Sequence, residues 1–139
     1  MPYVTAIYAA VLGLLLLALA ARVTLRRRGA RVGLGTGGDS TLERAIRVHG
    51  NFTENVPLAL VLLLAAELNG APYGLLHVCG LALVVGRLLH ALGLSRQSGT
   101  SFGRFWGTLL TWLAILVLAV VDLWLGLARL FMAAQPPIS

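Results

Sequence analysis

The chain has 139 residues, of which 58% are hydrophobic and only 12% are charged, whereas a soluble domain carries roughly 25% charged residues. This composition excludes an ordinary water-soluble domain and indicates a single membrane domain, residues 1–139. The net charge of +6 comes from arginines that lie between apolar runs, which does not fit a nucleic-acid-binding face. The single cysteine, Cys79, excludes an internal disulfide.

Four apolar runs predict four transmembrane helices, at about residues 3–25, 40–68, 72–94 and 104–132. Arginines follow the first run instead of preceding it, which favours a membrane helix over a secretory signal. The second run crosses a hydrocarbon layer of ~30 Å only if the helix also includes the charged segment before it. The expected fold class is therefore all-α, an integral membrane four-helix bundle.

The distribution of arginines between the loops predicts the orientation in the membrane. The first loop contains an arginine cluster and the third contains Arg96 and Arg104, whereas the second loop contains none. By the positive-inside rule, loops one and three lie in the cytoplasm and both termini lie outside. Arg129, near the C-terminus, is the exception to this pattern.

The first loop also contains GLGTGG, residues 33–38, which matches the G-x-G-x-x-G pattern of dinucleotide-binding proteins. That pattern binds a pyrophosphate when a strand precedes it and a crossover helix follows it. Here it lies between two membrane helices, so a flexible linker is the favoured interpretation.

The second predicted helix begins with polar and charged side chains. Ser40 and Glu43 form the S-x-x-E pattern of a capping box, and Asp39 adds negative charge at the helix N-terminus. Beyond them, four polar residues recur every three or four positions and form one stripe along the helix: Arg44, Arg47, Asn51 and Glu54.

Two interpretations of this stripe are open. It can be the solvated end of a long helix, because arginine side chains reach out to the membrane surface. It can also be a binding site, because ionisable groups inside a membrane span usually face a partner or a water-filled cavity. Arginine, asparagine and glutamate together suit a small zwitterion such as an amino acid or a short peptide.

The third and fourth helices add further polar residues. Arg87 and His90 lie one turn apart near the end of the third helix, at the predicted depth of the stripe. Arg87 either neutralises Glu54 or binds a ligand directly, and His90 is either a ligand contact or an interfacial residue. Asp122, deep in the fourth helix, is expected to face the bundle interior. The histidines and the cysteine lack the spacing of metal ligands, so no metal site is expected.

The stretch ERAIRVHGNFTENVP, residues 43–57, resembles the signature of the MAPEG family, the membrane-associated proteins in eicosanoid and glutathione metabolism. It matches E-R-x-x-R-x-H-x-N-x-x-E followed by a proline. The stretch CGLALVVGRLLHALGL, residues 79–94, is similar to helix three of the leukotriene and prostaglandin E synthases. The runs RLLHALGLSR and RFWGTLLT most resemble the small bacterial branch of the family.

The resemblance implies a homotrimer of four-helix protomers in the bacterial inner membrane, with glutathione bound between neighbouring subunits near the cytoplasmic side. Glu54 would then bind the glutathione amino group and Arg47 a carboxylate. The implied glutathione-binding residues are Arg27, Arg47, His49, Asn51, Glu54 and His90. Arg104 would stabilise the glutathione thiolate, which would attack a lipophilic electrophile or a peroxide that arrives from the bilayer.

The chain departs from the family pattern at three positions. Direct alignment places Gly103 opposite the catalytic arginine, so Arg104 takes that place only across a one-residue gap. Leu94 replaces a ligand-contacting tyrosine, and Gly50 replaces an arginine of the prostaglandin enzyme. These differences concern thiolate activation more than the fold.

Two other classes of function also fit four short spans. A small proton-coupled multidrug exporter would use Glu54 to exchange a proton for a lipophilic cation, although Arg47 or Arg87 nearby would repel that cation. A structural or assembly protein of the membrane would bind no glutathione. The apolar walls of the first and fourth helices identify no particular electrophile.

Overall fold

The computed structural model describes residues 1–96 and 101–134, apart from the side chain of Arg96. In these ranges the chain forms four helices and no strand: α1 Tyr3–Ala30, α2 Ser40–Leu68, α3 Tyr73–Arg96 and α4 Phe102–Ala133. Each helix is long and apolar enough to cross a membrane. The predicted all-α, four-helix membrane architecture is confirmed. The side chain of Arg96, whose charge contributed to the predicted orientation of the third loop, lies outside the described part.

Helix α1 is longer than predicted, because it continues through most of the arginine cluster to Ala30. Arginine is a good helix former, and cations in the last turn stabilise the negative end of the helix dipole. The helix ends in a Schellman motif in which Arg31 is left-handed, with φ of 53°. The Arg31 amide donates to the Arg28 carbonyl, and the Val32 amide donates to the Arg27 carbonyl. The cluster therefore projects mainly from a helix and not from a loop.

The N-terminal cap of α2 is Asp39 and not Ser40, so the predicted capping box is wrong by one residue. The Asp39 carboxylate accepts hydrogen bonds from the Thr41 hydroxyl at 2.6 Å and from the Thr41 and Leu42 amides at 2.7 and 3.2 Å. The hydroxyl most of all, and then the two amides, lower the pKa of Asp39. A carboxylate caps better than a hydroxyl here, since one oxygen accepts all three bonds and its charge favours the helix N-terminus.

Helix α2 packs against the other three helices, as α3 also does. Its buried residues recur every three or four positions, as expected for one buried helix face; they are Leu42, Ala45, Val48, Phe52, Val56, Ala59, Leu63 and Ala66. Leu12 of α1, Leu83 of α3 and Leu118 of α4 pack into the same core. The polar stripe therefore runs beside the core, along the edge of the bundle.

Helices α3 and α4 pack with their backbones in direct contact. A Cβ added to Gly107 would lie 2.5 Å from the Gly86 carbonyl oxygen and 2.6 Å from the His90 amide nitrogen. A Cβ added to Gly93 would lie 2.6 Å from the Arg104 amide nitrogen. Because backbone atoms cannot move aside as a flexible side chain does, glycine is what permits this approach. The close packing places His90 beside the first turns of α4.

The bundle has two chemically different ends. The arginine-rich end is where α1 ends and α2 begins, and the terminal end is where the chain begins and α4 ends. At the terminal end, Glu67 caps α1 from the last turn of α2: its two oxygens accept hydrogen bonds from the Val4 and Thr5 amides at 2.9 and 2.7 Å. Since Pro2, at the N-cap of α1, makes no side-chain cap, Glu67 satisfies amides that the helix leaves unpaired.

Asp122 lies on α4 towards the terminal end. Both of its carboxylate oxygens are buried, and neither has a hydrogen-bond partner among residues 1–96 and 101–134. As the sequence predicted, the side chain is directed into the bundle. A buried polar group without a partner costs free energy, so Asp122 is expected to destabilise an isolated protomer.

Candidate functional site

The polar stripe of α2 starts at the arginine-rich end. Arg47 and Glu54 are exposed on the surface of the protomer, whereas Asn51 is half-buried. Ionised side chains on a membrane-spanning helix are costly unless a cavity or another protein surface shields them from lipid. Because Glu54 is exposed, its immediate surroundings decide whether the carboxylate is shielded from lipid.

Those surroundings form a cavity of about 250 Å³. Five of the seven residues predicted to form the site line this cavity: Arg47, Asn51, Glu54, His90 and Arg104. They come from α2, α3 and α4, so the site depends on the packing of three helices. The wall also includes Ile46, Gly50 and Leu94; the last two are positions at which the chain departs from the family pattern, and both are small or apolar here.

Arg87 lies behind this cavity and is only 2% exposed. Its Nη1 donates to Asn51 Oδ1 at 2.6 Å, and its Nη2 donates to the Gly107 carbonyl at 3.2 Å. Both Nη atoms are thus directed to an amide oxygen of α2 and a carbonyl of α4, which are partners that the sequence did not suggest. Arg87 connects the two helices that carry the polar residues of the cavity.

His90 is 4% exposed and follows Arg87 by one turn of α3. Its backbone lies against Gly107, and the residue lines the cavity. The glycine contacts between α3 and α4 therefore determine where this imidazole stands. A histidine held in this way can offer one donor and one acceptor when it is neutral.

Arg104 lies where three cavities meet. Besides the one described, it lines a polar cavity of about 300 Å³ together with Glu43, Arg44 and Arg47. On its other side it lines a cavity of about 380 Å³ whose wall is mostly apolar, with Phe105, Leu109 and Trp112 among its residues. Its backbone amide donates to the Ser101 hydroxyl at 3.4 Å, which fixes the first turn of α4. A cation at this position borders both a polar and an apolar compartment.

Two predicted site residues do not join this cluster within one protomer. Arg27 donates from Nη1 to the carbonyls of Gly35 and Gly33, at 2.9 and 3.5 Å, and so holds the glycine-rich loop. That loop turns through the left-handed conformations of Gly35, Gly37 and Gly38. His49 is half-buried on α2 and is not part of the cavity wall.

A further groove of about 620 Å³ runs along the arginine-rich end of α1. Arg22 and Arg26 line it, together with small and apolar residues of α1 and with Asp39. Arg22 also donates to the Ser95 hydroxyl at 2.5 Å, which ties α1 to α3. None of the residues predicted to bind glutathione lines this groove.

Comparison with known proteins identifies the family. The model of the MAPEG family matches residues 5–124. The chain belongs to the MAPEG family. It is 40% identical over 127 residues to "Inner membrane protein YecN" of Escherichia coli strain K12, which covers 87% of this chain and 91% of that protein. The protein of the same name from Escherichia coli O6:H1 strain CFT073 matches to the same extent.

Family membership and four spanning helices make this chain a MAPEG membrane protein, as its sequence predicted. Most of the predicted site residues of this MAPEG protein line the cavity, whereas Arg27 and His49 do not. The contact between Arg87 and Asn51 was not foreseen. The sequence did place Arg87 and Asn51 at the same depth in the membrane. Residue types alone, however, could not show which of several polar side chains the guanidinium would contact.

Proposed function

We propose that this protein is a glutathione-dependent transferase or peroxidase of the inner membrane that acts on lipophilic electrophiles or hydroperoxides. The observation that carries the proposal is the position of Arg104, which lines a polar cavity on one side and an apolar cavity on the other. Such a junction suits a reaction between a water-soluble peptide thiol and a substrate that arrives from lipid.

The charges of the polar cavity fit glutathione. The peptide carries two carboxylates and one ammonium group, so its net charge is negative at neutral pH. The cavity wall contains Arg47 and Arg104 against one acid, Glu54. Arginine recognises carboxylates through paired hydrogen bonds, and glutamate accepts them from an ammonium group. The same excess of positive charge disfavours a cationic drug and hence the exporter alternative.

In the proposed reaction, Arg104 stabilises the glutathione thiolate after the thiol proton leaves to solvent. With an aryl halide, the thiolate sulfur forms a bond to the ring carbon and the halide ion departs. With a lipid hydroperoxide, the sulfur attacks the terminal oxygen, the O–O bond breaks, and the alkoxide takes up a proton to give the alcohol. A second glutathione then displaces water from the sulfenic acid and forms the disulfide.

The family resemblance implies a homotrimer, and the exposure of Arg47 and Glu54 supports assembly with a neighbouring subunit. Both side chains lie on the surface of one protomer, where a neighbouring subunit would shield them from lipid. In that arrangement Arg27 or His49 of one subunit would reach the glutathione held by the next. Activity restored on mixing inactive Arg27→Ala and Arg104→Ala subunits would support a shared site, and two inactive variants that never complement each other would count against it.

The relatives carry the name of an inner membrane protein, and we propose the same location here. The arginine-rich end would face the cytoplasm, because positively charged loops are retained there. This orientation also places the polar cavity on the side where glutathione is available.

Glutathione-dependent turnover of the purified protein in detergent tests the proposed function. Assays with an aryl halide and with a lipid hydroperoxide compare wild type with Arg104→Ala. Loss of an arginine that stabilises charge at the reacting sulfur is expected to lower kcat by about 100-fold. Arg28→Ala is the matched control, since Arg28 is an exposed arginine of α1 that lines none of the described cavities. Equal rates in wild type and Arg104→Ala would remove Arg104 from the mechanism, and an inactive wild type would contradict the enzyme class.

A further inference from the structure

The hydrogen bond between Arg87 and Asn51 bears on whether the side-chain amide of Asn51 turns its oxygen or its N–H groups towards the cavity. We propose that Arg87 is a positioning residue: it orients Asn51 so that only the amide N–H donors of Asn51 face the ligand, and the site therefore selects an oxygen acceptor at this point. The ligand group is a carboxylate or a peptide carbonyl. This inference rests on the proposed function, because it assigns one contact of the glutathione site.

The geometry of the contact allows one orientation of the amide. Nη1 of Arg87 lies 2.6 Å from Asn51 Oδ1 and 3.5 Å from the Asn51 backbone carbonyl. A guanidinium has donors and no acceptor, so the oxygen of the side-chain amide must be the atom that faces it. The amide nitrogen of Asn51 then lies on the other side, and Asn51 lines the cavity.

Arg87 can hold this orientation because it is itself fixed. The side chain is 2% exposed, and its Nη2 donates to the Gly107 carbonyl at 3.2 Å. Gly107 is in turn confined by its close contact with Gly86. On the α2 side, Asn55 Nδ2 donates to the Asn51 backbone carbonyl at 2.9 Å. That bond fixes the backbone of α2 at this position, while the side-chain amide of Asn51 is held by Arg87 alone.

This orientation of Asn51 makes the site selective for the kind of ligand group that can bind beside it. An unrestrained asparagine offers both a donor and an acceptor, and would tolerate either kind of ligand group. With its oxygen engaged by Arg87, Asn51 offers donors alone, and a ligand N–H placed there would leave both groups unpaired in a confined site. Glu54, one turn further along α2, has the opposite preference because a carboxylate accepts. The pair thus sets the direction of a bound peptide, with its ammonium group at Glu54 and an acceptor at Asn51.

The substitution Asn51→Asp tests the orientation directly. Aspartate has the same shape and keeps an oxygen for Arg87, but it replaces the donor that faces the cavity by a second oxygen. Glutathione binding is measured by titration calorimetry on the full-length protein in detergent. We expect the Kd to rise at least about tenfold, with a melting temperature no lower than that of wild type because the bond to Arg87 becomes charge-assisted.

Wild-type binding combined with a Kd for Asn51→Asp within about twofold of it would overturn this inference and leave the proposed function standing. A wild type that binds no glutathione would overturn both. The two failures are therefore distinguishable in one experiment.

Substitutions of Arg87 provide the second arm. Arg87→Met frees the Asn51 amide and is expected to raise the KM for glutathione about tenfold while the KM for the electrophile stays unchanged. Arg87→Lys, which still offers a donor, should recover part of this loss. Thr111→Val is the control, since the Thr111 hydroxyl donates to the same Gly107 carbonyl at 2.9 Å and forms no hydrogen bond with Asn51 among the described residues.

Equal increases in both KM values would indicate a merely structural role for Arg87, and no increase in either would also overturn the inference. If Arg87→Met does not fold, the Asn51→Asp titration decides alone.

Discussion

The buried polar groups at the two ends of the bundle differ in the hydrogen-bond partners that they find. At the arginine-rich end, the two Nη atoms of the buried Arg87 donate to Asn51 and Gly107, its Nε has no partner among the described residues, and polar residues nearby line a cavity. Towards the terminal end, the Asp122 carboxylate is buried without a partner in the described ranges, while Glu67 is fully used as a cap for α1. Polarity inside a membrane protein thus indicates a ligand site where polar residues of several helices border one cavity; one buried acid does not.

The contact between α3 and α4 supports the arginine-rich end, and breaking it should have the largest effect. Gly107→Ala places a methyl group 2.5 Å from the Gly86 carbonyl oxygen, so the helices must separate, at a cost of at least about 2 kcal/mol. Glutathione binding should be lost with it. Thermal unfolding in detergent and calorimetry measure the two effects.

The matched control lies on the same helix. A Cβ at Gly126 meets nothing within 4 Å, so Gly126→Ala should stabilise the protein by roughly 0.5–1 kcal/mol through helix propensity alone. Similar melting temperatures for the two variants would contradict close packing of α3 on α4.

At the terminal end, the cap provided by Glu67 should have the next largest effect. Glu67→Ala leaves the Val4 and Thr5 amides without their acceptor and should destabilise the protein by about 1–2 kcal/mol. Glu67→Gln keeps one acceptor oxygen and should lose less. Unfolding midpoints rank the variants, and an alanine variant as stable as wild type would exclude the cap as a stabilising contact.

The contrast between partnered and unpartnered groups predicts opposite signs for two leucine substitutions. Asp122→Leu removes a buried carboxylate that lacks a partner and should raise stability by about 1 kcal/mol. Asn51→Leu removes the side-chain acceptor of Arg87 Nη1 but keeps the bond from Nη2 to Gly107, and it should lower stability by a similar amount. Thermal unfolding under identical conditions compares them, and a destabilised Asp122→Leu would show that this carboxylate has a favourable partner in the assembled protein.

The smallest effect is expected at the Asp39 cap, and it depends on pH. Because the folded state lowers the pKa of Asp39, its contribution is present at neutral pH and is lost as the pH falls through that lowered value. Asp39→Asn keeps a capping oxygen but does not titrate. The melting-temperature advantage of wild type over this variant should therefore shrink below about pH 4, and an advantage that grows on acidification would contradict the assignment.

Sequence patterns predicted the number of helices and the approximate range of α2, because periodicity and membrane thickness constrain both. The set of site residues followed from the resemblance to the MAPEG family; five of the seven line one cavity, whereas Arg27 and His49 do not. The sequence patterns did not predict that α1 would continue through its arginines, since a charged run also fits a loop. They placed the cap at Ser40, because the local pattern cannot show that the preceding carboxylate has better geometry. The partner of Arg87 depended on how three helices pack, and only the fold contains that information.

The most direct test of the account is the ultraviolet absorbance of the glutathione thiolate when glutathione is added to the purified protein at neutral pH. Wild type should produce a thiolate signal that saturates with glutathione, and Arg104→Ala should not, because in the proposed reaction the Arg104 cation stabilises the sulfur anion. A wild type without a thiolate signal, or an equal signal in both proteins, would contradict the proposed site.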